Sequence, residues 1–342
     1  MKAAVLHEIG RPLRIESIPV PQIGPDEVLV QTHTCGICRT DIHLQDGLAY
    51  VPSLPHVPGH EPAGIVVEVG DRVTDFQAGQ RVVPHLFLTC GVCRYCRCGQ
   101  EAQCARVGGI LGVTCGGGFA EYFKVPARNL LRLPDSVPFD AGGLVSCAAI
   151  TAVHAFRKST LQADETAVVL GTGGIGIMIV QLLVDAGVRT AAVSRSAASL
   201  ELATQAGAEL AVTIDAPDVA DRVREFSGED GGVDCVFELV GLAGTMQAAA
   251  SFVRPGGRIV VIGEEAEFPA VDTIQIAQRE LQIIGSRNGG MQDARDALEM
   301  MATGAIRPHI AATHPLAEIN EALDSVRRGE AHGRVVIEVR SD

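Results

Sequence analysis

At 342 residues, 47% hydrophobic and 20% charged, the chain has a globular composition and the length for two domains, since single cores stop growing near about 250–300 residues. A formal charge of −13 argues against a nucleic-acid surface, though not against a local basic pocket for a cofactor's phosphates, because binding phosphates needs clustered Lys and Arg. With three Tyr and no Trp, a substrate pocket must be lined mostly by aliphatic groups and Phe.

The apolar run in residues 1–8 is too short for a signal peptide. The ten cysteines therefore read as reduced thiols of a cytoplasmic protein, not as disulfides. Residues 1–145 read as short β segments broken by Gly and Pro, with strands at 27–32 and 64–69 and turns at Gly24-Pro25-Asp26 and Gly70-Asp71. The texture changes near 146–156. Strands are then expected at 167–170, 190–193, 212–214, 233–239, 258–262 and 281–285, alternating with helices at 175–186, 197–207, 219–226 and 241–252. That alternation predicts a parallel, doubly wound sheet. The uncharged stretch 167–184 approaches the length of a membrane span. Four glycines in its first half and Asp185 at its end make it a strand, a turn and a buried helix instead, so no membrane partner is expected. Helices at 292–303 and 316–328 and a strand at 333–339 form a tail too small to stand alone, which should return to the first domain.

Cys90-Gly-Val-Cys93-Arg-Tyr-Cys96 followed by Cys104 places four thiols on one lobe. A structural zinc takes four such ligands at about 2.3 Å, and close spacing keeps the loop-closure entropy small. Arg94, Arg97 and Arg106 can offset the resulting negative charge, while Cys98 breaks the rhythm and reads as a bystander. No basic recognition helix follows, which excludes a nucleic-acid finger.

A catalytic zinc needs an open position, and Cys38, His60 and Cys147 offer two thiolates and an imidazole. Asp41 and Glu61 stand where a carboxylate can orient a ligand. Cys35 forms Cys-x-x-Cys with Cys38, but a packed small residue is the better reading than a redox partner. Gly171-x-Gly173-x-x-Gly176, with Gly174 and Ile175 inside it, follows an expected strand and opens a helix, the context for a dinucleotide pyrophosphate. The next strand ends Ala192-Val193-Ser194-Arg195-Ser196, without the carboxylate of an NAD site. Ser194 and Arg195 suit a 2′-phosphate, so NADP is favoured over NAD.

The chain resembles the zinc-dependent medium-chain alcohol dehydrogenases over essentially its whole length. The resemblance is carried by Gly-Ile-Cys38-Arg-Thr-Asp-Ile-His43, Gly59-His60-Glu61, the four-cysteine lobe, Gly118-Phe119-Ala120-Glu121-Tyr122, Cys147-Ala-Ala-Ile-Thr151 and the glycine turn. It implies an α/β architecture: a GroES-like β-rich catalytic domain, 1–150 with 286–342, and a Rossmann doubly wound parallel-sheet cofactor domain, 151–285. It further implies two zinc ions per subunit, the catalytic one on Cys38, His60 and Cys147 with Glu61 beside it or as alternate ligand.

On the same basis Thr40 would pass the alcohol proton through the cofactor ribose toward His43, and Arg39 and Arg334 would contact the pyrophosphate. The implied activity is reversible oxidation of an alcohol to an aldehyde or ketone, in a homo-oligomer with a tetramer favoured over a dimer. Leu48, Val51, Leu54, Leu86 and Phe87 are candidate pocket residues and lean toward an apolar substrate. A polyol or amino-alcohol dehydrogenase is the alternative within the family. The complete ligand sets stand against a zinc-free quinone or enoyl reductase, and Thr40 and His43 beside Cys38 and the other metal partners stand against a non-catalytic zinc and nucleotide sensor.

Overall fold

A computed structural model describes residues 1–48, 52–228, 231–265 and 272–340; Val51 lies outside the described residues. The chain divides into two compact units. Met1–Ile150, Gly289–Gly304 and Pro308–Asp342 form the first, and Thr151–Asn288 with Ala305–Arg307 form the second.

The first unit is built on a seven-stranded sheet. Six strands run in the order Ile310–Pro315, Arg334–Glu338, Glu27–Ile37, Glu61–Val69, Arg81–Pro84, Leu130–Arg132, and Tyr122–Pro126 pairs with Glu27–Ile37 off that path. The central strand Glu27–Ile37 is longer than the expected 27–32. It is held through Ile37 because Arg334–Glu338 pairs along one edge and Glu61–Val69 along the other. The polar run Thr32-His33-Thr34 hid this extension, yet all three are buried. Thr34 keeps its hydroxyl satisfied by donating to Phe139 O at 2.8 Å.

Along that strand Val28 and Val30 enter a cluster with Val66, Val82, Phe123 and Val125. Cys35 and Ile37 enter another with Leu6, Ile42, Leu44 and Phe119. Each such buried aliphatic or Phe side chain stabilises by about 1.5–3 kcal/mol. The strand that leads into Cys38 is therefore rigidly embedded.

In the second unit six strands lie parallel in the order Leu210–Thr213, Arg189–Ser194, Thr166–Leu170, Val233–Glu238, Val253–Val261, Gln282–Gly285. The order reverses between Thr166–Leu170 and Val233–Glu238, the switch point at which a doubly wound sheet receives its ligand. Every residue of Thr166–Leu170 is buried, as expected of a central parallel strand. Helices Gly174–Asp185, Ala197–Gln205, Val219–Ser227 and Ala243–Phe252 connect the strands near their expected places.

The strand Ile310–Pro315 and the short helix Thr273–Gln278 are additions to the expected elements. The expected helix at 316–328 is a 3-10 turn, Leu316–Glu318, continued by the α-helix Ile319–Arg327. Among the described residues no single helix is long and apolar enough to cross a membrane, and the stretch 167–184 is indeed strand, turn and helix.

Candidate metal and dinucleotide sites

Cys38 stands where Glu27–Ile37 gives way to the helix Arg39–Asp46, and its own backbone is still extended. Its N–H donates to Asp41 Oδ2 at 2.9 Å, satisfying one of the donors a helix start leaves open. The other Asp41 oxygen, Oδ1, lies 3.1 Å from His60 Nδ1. That bond places the ring proton on Nδ1 and leaves the Nε2 lone pair to coordinate. Nε2 is buried and has no hydrogen-bond partner. A polar atom so placed is costly unless something binds it.

Asp41 thus fixes one ligand through its backbone and another through its ring. In Asp41→Asn the amide can still accept from Cys38, but it turns an N–H toward His60 Nδ1 and favours the wrong tautomer. We expect metal affinity to fall about 10–100-fold, as for other partners of ligating histidines. Titration with a chromophoric chelator would read it; unchanged affinity would remove Asp41 from this role.

Glu61 opens the strand Glu61–Val69 and is fully buried. One carboxylate oxygen meets Arg334 Nη2, and the other, Oε1, has no hydrogen-bond partner. Gly36 pairs opposite Glu61, and a Cβ there would lie 2.1 Å from Glu61 Oε2. Only glycine lets the carboxylate lie across that strand. Cys147 follows the 3-10 turn Leu144–Ser146. The coordinating atoms of Cys38, His60, Glu61 and Cys147 all lie within 4.8 Å of one another. Two sulfurs, an imidazole and a carboxylate so gathered suit zinc.

The hydrogen bond from Cys147 and the neighbouring His60 hold the Cys38 thiol well below the usual thiol range. Cys147 is pushed well above it by that same bond to Cys38 and by burial. Burial raises the Glu61 carboxyl to about 7, with the Arg334 charge acting against the rise. For His60 burial opposes the cation, but the charge and hydrogen bond of Asp41 outweigh it and raise the ring. A dication held by these residues would replace the Cys147 proton and add a positive charge beside Glu61.

Thr40 is half-buried in the first turn of Arg39–Asp46, its Oγ1 3.7 Å from Cys38 Sγ. His43 is half-buried three residues on, along the same face of that helix. Arg39 is exposed, whereas Arg334 is buried with its guanidinium on Glu61. The structure therefore gathers Cys38, Thr40, His60, Glu61, Cys147 and Arg334, with Arg39 turned outward. Cys35 and Cys38 are separated by extended chain spanning about 10 Å, beyond the roughly 7 Å that a disulfide bridges. Cys35 is instead a fully buried packing residue.

In the lobe, the Sγ separations are 3.5 Å for Cys93–Cys96 and 3.9 Å for both Cys90–Cys96 and Cys93–Cys104. A tetrahedron with bonds of about 2.3 Å has edges of about 3.8 Å, so the four thiols already stand at zinc spacing. Backbone amides supply much of the charge compensation. Cys93 N–H donates to Cys90 Sγ and Cys90 N–H to Cys104 Sγ, each at 3.4 Å. Such amides, led by that of Cys96, lower the Cys93 thiol to about 6. Burial, helped by the neighbouring sulfurs, pushes Cys96 up to about 12. Arg94, Arg97 and Arg106 are exposed. The cation that touches the lobe backbone is Arg128, donating to Cys90 O at 2.8 Å, and its distance along the chain hid it. Cys98 is exposed and outside the cluster.

In the second unit Gly171 has φ +102°, and a Cβ on Gly176 would lie 2.2 Å from Gly171 O. These two glycines make the turn tight. A Cβ on Gly173 would meet nothing within 4 Å, leaving an open approach at the start of the helix Gly174–Asp185, which also contains Ile175. Backbone N–H groups and the helix dipole there suit a pyrophosphate. Ser194 ends the strand Arg189–Ser194, Arg195 is exposed beside it, and Ser196 accepts from Ser199 N–H to cap the helix Ala197–Gln205.

A doubly wound dinucleotide unit and a buried thiolate–imidazole–carboxylate set define a metal-dependent oxidoreductase. The family models for the alcohol dehydrogenase GroES-like domain and for zinc-binding dehydrogenase match residues 24–135 and 174–303. An alcohol dehydrogenase of Geobacillus stearothermophilus is 35% identical over 99% of this chain and 100% of its own length. An NAD-dependent alcohol dehydrogenase of Sulfolobus acidocaldarius is 31% identical over 99% and 100%. A Sinorhizobium meliloti 1021 structure bound to NADP is 31% identical and superimposes with a TM-score of 0.87 over 98% of both chains. The chain belongs to the zinc-dependent alcohol dehydrogenase family of medium-chain dehydrogenases.

Proposed function

We propose that this chain reversibly oxidises a primary or secondary alcohol to an aldehyde or ketone with NAD(P)+, using the cluster at Cys38 as its catalytic centre. The observation that carries the reading is His60 Nε2, buried without a hydrogen-bond partner and surrounded by Cys38, Glu61 and Cys147. Cys38, His60 and Cys147 would hold the catalytic zinc, and Cys90, Cys93, Cys96 and Cys104 a structural one. Zinc held by the first set would supply Lewis-acid stabilisation at the substrate oxygen.

The protein's own groups manage the rest. Thr40, beside Cys38, accepts the alcohol proton, since a hydroxyl donates and accepts at once. His43, on the same helix face, takes it onward, because an imidazole carries both a donor and an acceptor nitrogen. Asp41 keeps the His60 lone pair aimed inward. Arg334 stabilises the Glu61 carboxylate, and breaking such a buried pair costs about 3–5 kcal/mol. Of the expected pocket residues Leu86 and Phe87 are buried whereas Leu48 and Leu54 are exposed, so the preference for an apolar alcohol over a polyol rests on Leu86 and Phe87 alone.

For the dinucleotide, the turn Gly171–Gly176 receives the pyrophosphate and Ser194 with Arg195 a 2′-phosphate. The relatives include both an NAD-dependent enzyme and an NADP-bound structure. The NADP preference therefore rests on the missing carboxylate and the guanidinium.

Reduction would be followed at 340 nm with NADP+ and NAD+ over primary, secondary, benzylic and polyhydroxy alcohols, before and after chelation. Chelator-sensitive reduction is expected. No reduction with any alcohol, in protein carrying two zinc ions, would leave a substrate outside the panel or the sensor reading. Arg195→Leu should lower the NADP+ to NAD+ ratio of kcat/KM about 10–100-fold, the value of a charge-assisted hydrogen bond. An unchanged ratio would take Arg195 out of 2′-phosphate recognition, and a wild-type ratio favouring NAD+ would return the assignment to NAD.

A further inference from the structure

The four-cysteine lobe is closed at its neck by backbone pairing. Leu88 N–H donates to Gly109 O at 2.8 Å, Gly108 N–H to Leu88 O at 2.7 Å and Leu111 N–H to Leu86 O at 2.9 Å. Phe87 and Ile110 face each other across this neck as an antiparallel bridge. Within the lobe, between Cys96 and Cys104, the 3-10 turn Glu101–Gln103 turns Ala102 inward to 8% exposure. Ala102 there forms one buried cluster with Leu86 and Phe87, against which Ile110 and Cys147 pack. Cys147 belongs to the other donor set. One apolar wall therefore joins the lobe to the place where substrate is handled.

The wall is tied on its other side as well. Phe87 O accepts from Asn129 Nδ2 at 2.8 Å. His85, fully buried, has Nδ1 3.1 Å from Phe87 O and Nε2 3.0 Å from Gly289 O. With the backbone of Phe87 anchored there, the side chain that meets the wall from within the lobe is Ala102.

We propose that Ala102 is a specificity-determining residue: the cysteine lobe holds it against Leu86 and Phe87 and so sets how much substrate bulk fits beside Cys147. The proposal rests on the alcohol dehydrogenase reading above and deepens it. Alanine has no side-chain rotamers, so its methyl goes wherever the lobe backbone goes. Interiors packed to crystal-like density pass added volume on to their neighbours instead of absorbing it. Added methyl groups at Ala102 push Leu86 and Phe87 toward the substrate, and removing its methyl lets them withdraw.

Ala102→Val and Ala102→Gly would be compared with wild type on ethanol, 2-propanol, cyclohexanol and benzyl alcohol. In parallel, acetamide, isobutyramide and benzamide, unreactive carbonyl analogues, would be titrated onto the complex with reduced cofactor. The valine variant should raise the KM and Kd of the bulky members relative to the smallest by about 10-fold or more, the scale on which a pocket senses a methylene. The glycine variant should shift both ratios the other way, with zinc content as in wild type in each. Constant ratios, or an equal change for every ligand, would overturn the assignment; if the valine variant does not fold, the glycine variant decides alone. Absence of alcohol turnover in the wild type would remove the reading beneath it, whereas normal wild-type turnover with constant ratios removes Ala102 alone.

Discussion

His60→Ala should abolish alcohol turnover and cut the zinc content from two ions per chain to one. The ring supplies the nitrogen donor of the cluster at Cys38, and no other histidine belongs to that set among the described residues. Lewis-acid stabilisation is worth several kcal/mol, so kcat/KM should fall by at least about 10³-fold. The substitution also leaves Asp41 Oδ1 without its donor in a residue only 3% exposed. That adds a stability loss of about 1–3 kcal/mol, readable as a lower Tm. The four-cysteine lobe has its own ligands and amide donors, so its ion should remain. Metal analysis beside steady-state kinetics checks both halves. Full turnover with one zinc per chain would place the chemistry elsewhere.

Thr40→Ala should lower kcat by about 10²–10⁴-fold, the range of general acid–base catalysis. Zinc content and dinucleotide affinity should stay within about twofold of wild type, since Thr40 belongs to neither ligand set. Thr40→Ser should restore most of the rate, because the serine keeps a hydroxyl at the same position. This pattern separates a proton carrier from a packing residue. Loss of packing would show as lost stability that Ser does not repair. Near-normal turnover in the alanine variant would take Thr40 out of the relay.

Much of this protein was legible because its strongest signals are local. Cys90 to Cys104 and the turn Gly171–Gly176 each lie within a few residues of chain, where spacing alone implies geometry. Strands alternating with helices exposed the parallel sheet for the same reason. Arg334 and Glu61 are 273 residues apart, and nothing in the neighbourhood of either announces their contact. Asp41 could be suspected of orienting a ligand, but its simultaneous bond to the Cys38 amide appears only once the strand–helix junction is built. The strand Ile310–Pro315 was hidden for another reason. Its residues alternate between half-buried and exposed and carry Ala, Thr and His in place of a β-branched apolar run. Its pairing with Arg334–Glu338, not its own composition, makes it a strand.

The insertion of Arg334–Glu338 between Ile310–Pro315 and Glu27–Ile37 imposes a timetable on biosynthesis. Almost all of the second unit, Thr151–Asn288, leaves the ribosome while the first still lacks residues 308–340. Domains fold as units during synthesis, and contacts between distant segments form late. Cys38, His60 and Cys147 are made early, but Glu61 gains its guanidinium partner only when Arg334 arrives. Until then, closing the cluster would bury a carboxylate without its counter-charge, at a penalty of several kcal/mol. A nascent chain stalled before residue 330 would carry a finished dinucleotide fold and an unfinished catalytic pocket. The C-terminal strand is thus the last piece to reach the pocket, and Glu61 is expected to gain its counter-charge only when that strand docks.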